Sequence, residues 1–142
     1  MTDEFPEAVK ALLREHVTSF EKLELLMILS GEPQQAWTAA SLSSRLHVSE
    51  ELVVEALDAL QRSRLVGSTV EGEQRTVRYA PASTELAHAA RELARIFPDQ
   101  RAAIIGFMSA NAIERVRSGA IRTFADAFII GIVDKNGRGK PS

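Results

Sequence analysis

The apolar positions change period several times along the chain, and each change predicts a new element. Phe5, Val9, Leu12, Leu13 and Val17 recur at helical spacing, which predicts an amphipathic helix over residues 6–17. Thr18-Ser19-Phe20-Glu21 has the spacing of a capping box, with Thr18 facing Glu21. The segment FEKLELLMILS that follows is apolar nearly all round, as expected of a central, buried helix. Ser30-Gly31-Glu32-Pro33 stops it, because glycine ends helices readily and proline cannot continue one.

Thr38 is a good N-cap for a short helix over residues 39–46. His47-Val48 makes the turn, and Ser49 caps a second helix running to about residue 62. At about 100° per residue, Leu52, Val53, Ala56, Leu57 and Leu60 fall on its inner face. Glu51, Val54, Glu55, Asp58 and Arg62 fall on the outer face, with Glu50 and Gln61 at the edges. Residues 65–70 and 75–80 are rich in β-formers and flank Glu71-Gly72-Glu73-Gln74, which reads as a hairpin tip; Pro81 closes the hairpin.

Ser83 then caps a helix with Leu86, Ala89, Ala90, Leu93 and Phe97 on one stripe. Pro98 suits the opening of another helix, over residues 99–117, and Ser118-Gly119 marks a break. A last apolar stripe, including Phe124, Phe128 and Ile129, runs to about residue 133. The expected division is an N-terminal helix (1–17), a central domain (18–81), C-terminal helices (82–133) and a polar, glycine-rich, disordered tail (134–142).

Composition narrows the function classes. The chain has 142 residues, 45% hydrophobic and 25% charged, an ordinary balance for a soluble globular protein. It has no cysteine, so disulfides, thiolate metal sites and cysteine nucleophiles are excluded. A cytoplasmic location is expected, since the acidic start lacks a signal-peptide pattern and no run approaches the roughly 18 apolar residues of a membrane span. Net charge is −2, with residues 1–37 at −4, 38–80 at −1 and 81–142 at +3. A dedicated nucleic-acid domain usually has a strong positive excess, so any positive face here must be local. His16, His47 and His88 lie on separate elements, and no catalytic, phosphate-loop or dinucleotide motif is present. No enzyme, cofactor or metal site is expected.

The order helix, helix-turn-helix, hairpin has Leu42, Leu46, Val48, Val53, Leu57 and Leu60 at core spacing, with Leu65-Val66 opening the hairpin. Over residues 18–81, roughly half the chain, it resembles the winged-helix domains of small bacterial transcriptional regulators of the MarR and ArsR types. The resemblance implies a mainly α fold with a small β-hairpin and a C-terminal helical extension. It also implies double-stranded DNA as partner, with the helix after Ser49 as recognition helix and the hairpin as wing. The residues available for phosphate are Ser41, Ser44, Arg45, Arg62, Arg64, Arg75 and Arg78, the last two on the wing.

Against them stand Glu50, Glu51, Glu55 and Asp58, which repel phosphate at close range. Acids in a first helical turn complement the helix dipole, so a merely solvated face explains them. Equally, Glu50, Glu51, Val54, Glu55 and Asp58 could form a protein-binding face. On the hairpin, cross-strand Glu–Arg pairs compete with a phosphate role for Arg75 and Arg78. Ile104, Ile105, Met108 and Ile113, with Phe124, Phe128 and Ile129, are divided between internal core and a homodimer interface. Two functions therefore stand: a dimeric DNA-binding regulator, or a winged-helix protein-interaction module without direct DNA contact. Neither involves a membrane.

Overall fold

Hydroxyl caps fix where the helices begin. The computed structural model describes the backbone of residues 5–135 and the side chains of residues 5–118. The elements run α1 (Glu7–Glu15), α2 (Phe20–Gly31), α3 (Ala39–Leu46), α4 (Glu50–Arg62), β1 (Val66–Glu71), β2 (Gln74–Tyr79) and α5 (Thr84–Lys135). Thr38 Oγ1 accepts from the Ser41 amide at 3.1 Å, and Ser41 Oγ accepts from the Thr38 amide at 3.1 Å, a reciprocal box that starts α3. Ser49 Oγ accepts from the Leu52 amide at 3.2 Å and starts α4; Ser83 does the same for α5 through Leu86. The cap of α2 is Ser19 rather than Thr18. Ser19 is extended and accepts from the Lys22 amide at 3.2 Å, which leaves Thr18 Oγ1 to accept from the Lys22 ammonium at 2.9 Å.

The turn between α3 and α4 is tight because His47 adopts a left-handed conformation, φ 60°, with its amide donating to Ser43 O at 2.8 Å. β1 and β2 are antiparallel, from Val66↔Tyr79 to Glu71↔Gln74, joined by a two-residue turn in which Gly72 has φ +65°. Trp37 adds a third, single-residue rung: its amide and carbonyl each bond to Val77, both at 2.8 Å.

The chain divides into two units, residues 1–108 and 109–142. In the first, α2 and α3 pack on α4, and α4 packs on β1. Leu25, Leu26 and Leu29 of α2 meet Leu57 and Leu60 of α4 in one apolar cluster, which also takes in Leu12 and Leu13 of α1 and Leu93 and Ile104 of α5. The N-terminal helix thus shares the central core. The second unit carries the remainder of α5.

Further expectations about faces and helix boundaries change. Leu52, assigned to the inner face of α4, is 43% exposed, because the buried stripe is narrower and centres on Val53, Ala56, Leu57 and Leu60. The expected break at Ser118-Gly119 is absent, since a single glycine costs a helix only about 1 kcal/mol relative to alanine. Pro98 lies inside α5 instead of opening a new helix, and the departure from helical geometry falls at Gln100 (φ −123°, ψ 31°). Of the expected tail, Asp134 and Lys135 are helical, and residues 136–142 lie outside the described residues.

Candidate nucleic-acid interface

The strand alternation of β2 decides what its two arginines do. Val77 is buried, so Arg75, two residues earlier, shares its inward face, whereas Arg78 lies on the outward one and is exposed. The Arg75 guanidinium folds onto α4. Nη1 lies 3.0 Å from Asp58 Oδ1, Nη2 donates to Gln61 Oε1 at 2.9 Å, and Nε donates to Ser68 Oγ at 3.2 Å. All three nitrogens are engaged within the protomer. Arg75, expected among the phosphate donors of the wing, instead forms a clamp between wing and helix. Nor does the hairpin carry cross-strand Glu–Arg pairs, because its register sets Glu71 against Gln74 and Arg75 against Val70.

The clamp removes Asp58 from the set of uncompensated acids. Glu50, Glu51 and Glu55 stay exposed, and none forms an ion pair among the described residues. Val54 is half-buried beside them. Arg62 ends α4, Arg64 sits in the next turn in a left-handed conformation (φ 64°), and Arg78 follows on β2. These three are exposed and without ion pairs among the described residues. Arg45 is also exposed, its guanidinium 5.6 Å from the centre of the Trp37 ring. Ser44 is exposed, whereas the Ser41 hydroxyl is committed to its capping box.

The remaining candidates divide between the two units. Ile104 and Met108 are buried in the core of the first, and Ile105 is half-buried. In the second, Ile113 and Val116 are 59% and 72% exposed. The side chains of Phe124, Phe128 and Ile129 lie outside the described residues. The histidines stay apart: His16 Nδ1 bonds to Ser63 Oγ at 3.0 Å, while His47 and His88 are exposed. Burial pushes the Tyr79 hydroxyl pKa up, against a smaller opposing pull from Arg91. Among the described residues no cluster of three metal-ligating side chains occurs, and no helix is long and apolar enough to cross a membrane.

Sequence reasoning missed the partners of Arg75. The parity of β2 carried half the signal, since it places Arg75 with Val77; the identity of the partner depends on how the hairpin docks.

No family model and no curated protein matches the sequence. Solved structures do match. HlyU from Vibrio cholerae N16961 superposes with a TM-score of 0.52 at 24% identity, covering 66% of this chain and 96% of that one. A transcriptional regulator HlyU from Vibrio vulnificus CMCP6 gives 0.50 at 21%, covering 64% and 88%. A mutant of S. aureus MepR bound to oligodeoxyribonucleotide gives 0.51 at 14%, covering 85% and 88%. With the caps, the left-handed turn and the docked hairpin, these likenesses identify the chain as a winged helix-turn-helix protein resembling the transcriptional regulators of the ArsR and MarR types.

Proposed function

We propose that the protein is a transcriptional regulator that binds double-stranded DNA as a homodimer. The observation that carries this reading is the run of exposed guanidinium groups, Arg62, Arg64 and Arg78, from the end of α4 onto the wing, which have no ion pair among the described residues. The clamp by Arg75 supports it, because it cancels the Asp58 charge on the same helix. A protein of the same fold, MepR, has been solved bound to an oligodeoxyribonucleotide. Arg45 and Ser44 on α3 add a phosphate-facing donor set. The dimer rests on the exposed Ile113 and Val116 and on the apolar stripe that follows them in sequence.

The test is binding to a random duplex across salt concentrations. Three arginines from each of two protomers make roughly six phosphate contacts, which gives a slope of log K against log salt of about −5. Arg78→Ala flattens that slope by about one contact per protomer. Ile113→Asp with Val116→Asp gives a monomer by sedimentation, with DNA affinity sharply reduced. The second reading, a protein-interaction module, is favoured by exposed Glu50, Glu51 and Glu55 on α4. Absence of duplex binding at about 50 mM salt would select it.

A further inference from the structure

We propose that Gln61 is a base-reading residue that selects guanine, and that Arg75 is the positioning residue that fixes its choice. The inference rests on the DNA-binding reading above and names what α4 reads. Arg75 Nη2 donates to Gln61 Oε1 at 2.9 Å. A guanidinium carries five N–H donors and no acceptor, so only the oxygen of the carboxamide can face it. Turning the amide over would set Nε2 against Nη2, donor against donor. The guanidinium is itself held in place, since Nη1 lies 3.0 Å from Asp58 and Nε donates to Ser68 at 3.2 Å. Gln61 Nε2 is therefore directed away from Arg75, and it makes no hydrogen bond among the described residues.

This orientation removes the ambivalence of a glutamine. A carboxamide with both ends open pairs with adenine, accepting from N6 and donating to N7. With its oxygen turned to Arg75, Gln61 presents donor hydrogens alone. The major-groove edge of guanine offers two acceptors, O6 and N7, whereas adenine and cytosine each place an amino group there. Guanine is the matching base. Gln61 is exposed and stands seven residues after Val54, about 20° away around the helix, so it shares the outward ridge of α4. On that ridge Glu51 and Glu55 repel phosphate, while Arg62, Arg64 and Arg78 beyond it supply the charge that phosphate attracts. A neutral amide between them meets a neutral base edge.

Selection from random duplexes by the full chain at about 50 mM salt supplies the binding site. At one position of each half-site, exchanging guanine for adenine should weaken wild-type binding by about tenfold. Inosine, which keeps O6 and N7, should bind as guanine does, and 7-deazaguanine should not. Gln61→Leu and Arg75→Met should each shrink the guanine-to-adenine ratio below about threefold, the latter because a released carboxamide can pair with adenine. Gln61→Glu keeps an oxygen toward Arg75 and puts an acceptor where the donor was, so it should move the preference to cytosine. Ser68→Ala, which cuts only one contact of the guanidinium, should leave the ratio unchanged. Circular dichroism checks that each variant keeps the fold. A ratio untouched by Gln61→Leu or by Arg75→Met would overturn the proposal while DNA binding stands. So would a loss in Gln61→Leu equal for all sequences, because the amide would then hold a phosphate. Absence of binding to any duplex would overturn this inference and the DNA-binding reading together.

Discussion

Replacing Arg75 by alanine separates a clamp from a phosphate ligand. The substitution deletes the ion pair to Asp58 and the hydrogen bonds to Gln61 and Ser68. The paired side chains are 30% and 46% exposed, so solvent screens the ion pair, which contributes about 0.5 kcal/mol. The two hydrogen bonds add about 0.5 kcal/mol each after the same exposure is considered. The expected loss is about 1–2 kcal/mol, or about 4–8 °C in Tm for a domain of this size. Thermal unfolding by circular dichroism measures it, and a cycle with Asp58→Asn isolates a coupling of about 0.5 kcal/mol. The salt slope of DNA binding should stay unchanged, since Arg75 gives no nitrogen to the outside. A Tm within about 1 °C of wild type, with a slope flatter by about one contact per protomer, would refute the clamp.

Other substitutions probe the scaffold. Leu60→Ala should cost about 2–5 kcal/mol in urea unfolding, whereas Leu52→Ala should cost less than about 1 kcal/mol, because only Leu60 leaves a cavity. Gly72→Ala should destabilise by about 1 kcal/mol, since φ is +65° there; His47→Gly should stabilise by roughly 0.5 kcal/mol, since histidine already occupies φ 60°. Tyr79 has a raised pKa, so the unfolded chain ionises first as pH climbs. Its contribution to stability is complete below the ordinary value of 10.0 and is lost as pH rises from there through the folded value. Urea unfolding at about pH 9 and about pH 11 should therefore show a smaller decline in Tyr79→Phe than in wild type. Identical declines would remove Tyr79 from the account. As the chain has a single tyrosine, phenolate absorbance follows the same titration directly.

What the sequence made legible was local. Thr38, Ser49 and Ser83 each cap an amide within three residues of themselves, so their hydroxyls announce the helix starts. The core of α4 follows from spacing alone at Val53, Leu57 and Leu60, but Leu52 lies at the edge of that stripe. There the neighbouring α2, and not the period, decides burial. Ser19 rather than Thr18 caps α2 for a similar reason: both hydroxyls fit the motif, and the path of the chain into the helix chooses between them. Candidate arginines were visible as residue types. Whether each is available is a tertiary property, as the contact from Arg75 back across the hairpin to Asp58 makes plain.

The single tryptophan of the chain occupies a mechanical junction. Trp37 is hydrogen-bonded to the wing through Val77, precedes the cap of α3, and lies buried beneath Arg45. Its emission is consequently an unlabelled optical gauge of that junction. A ligand that lifts the wing or draws Arg45 away would admit water to the indole, shift its fluorescence to the red and open it to acrylamide quenching. A ligand held elsewhere would leave the spectrum still, so one intrinsic signal sorts binding events by where they land.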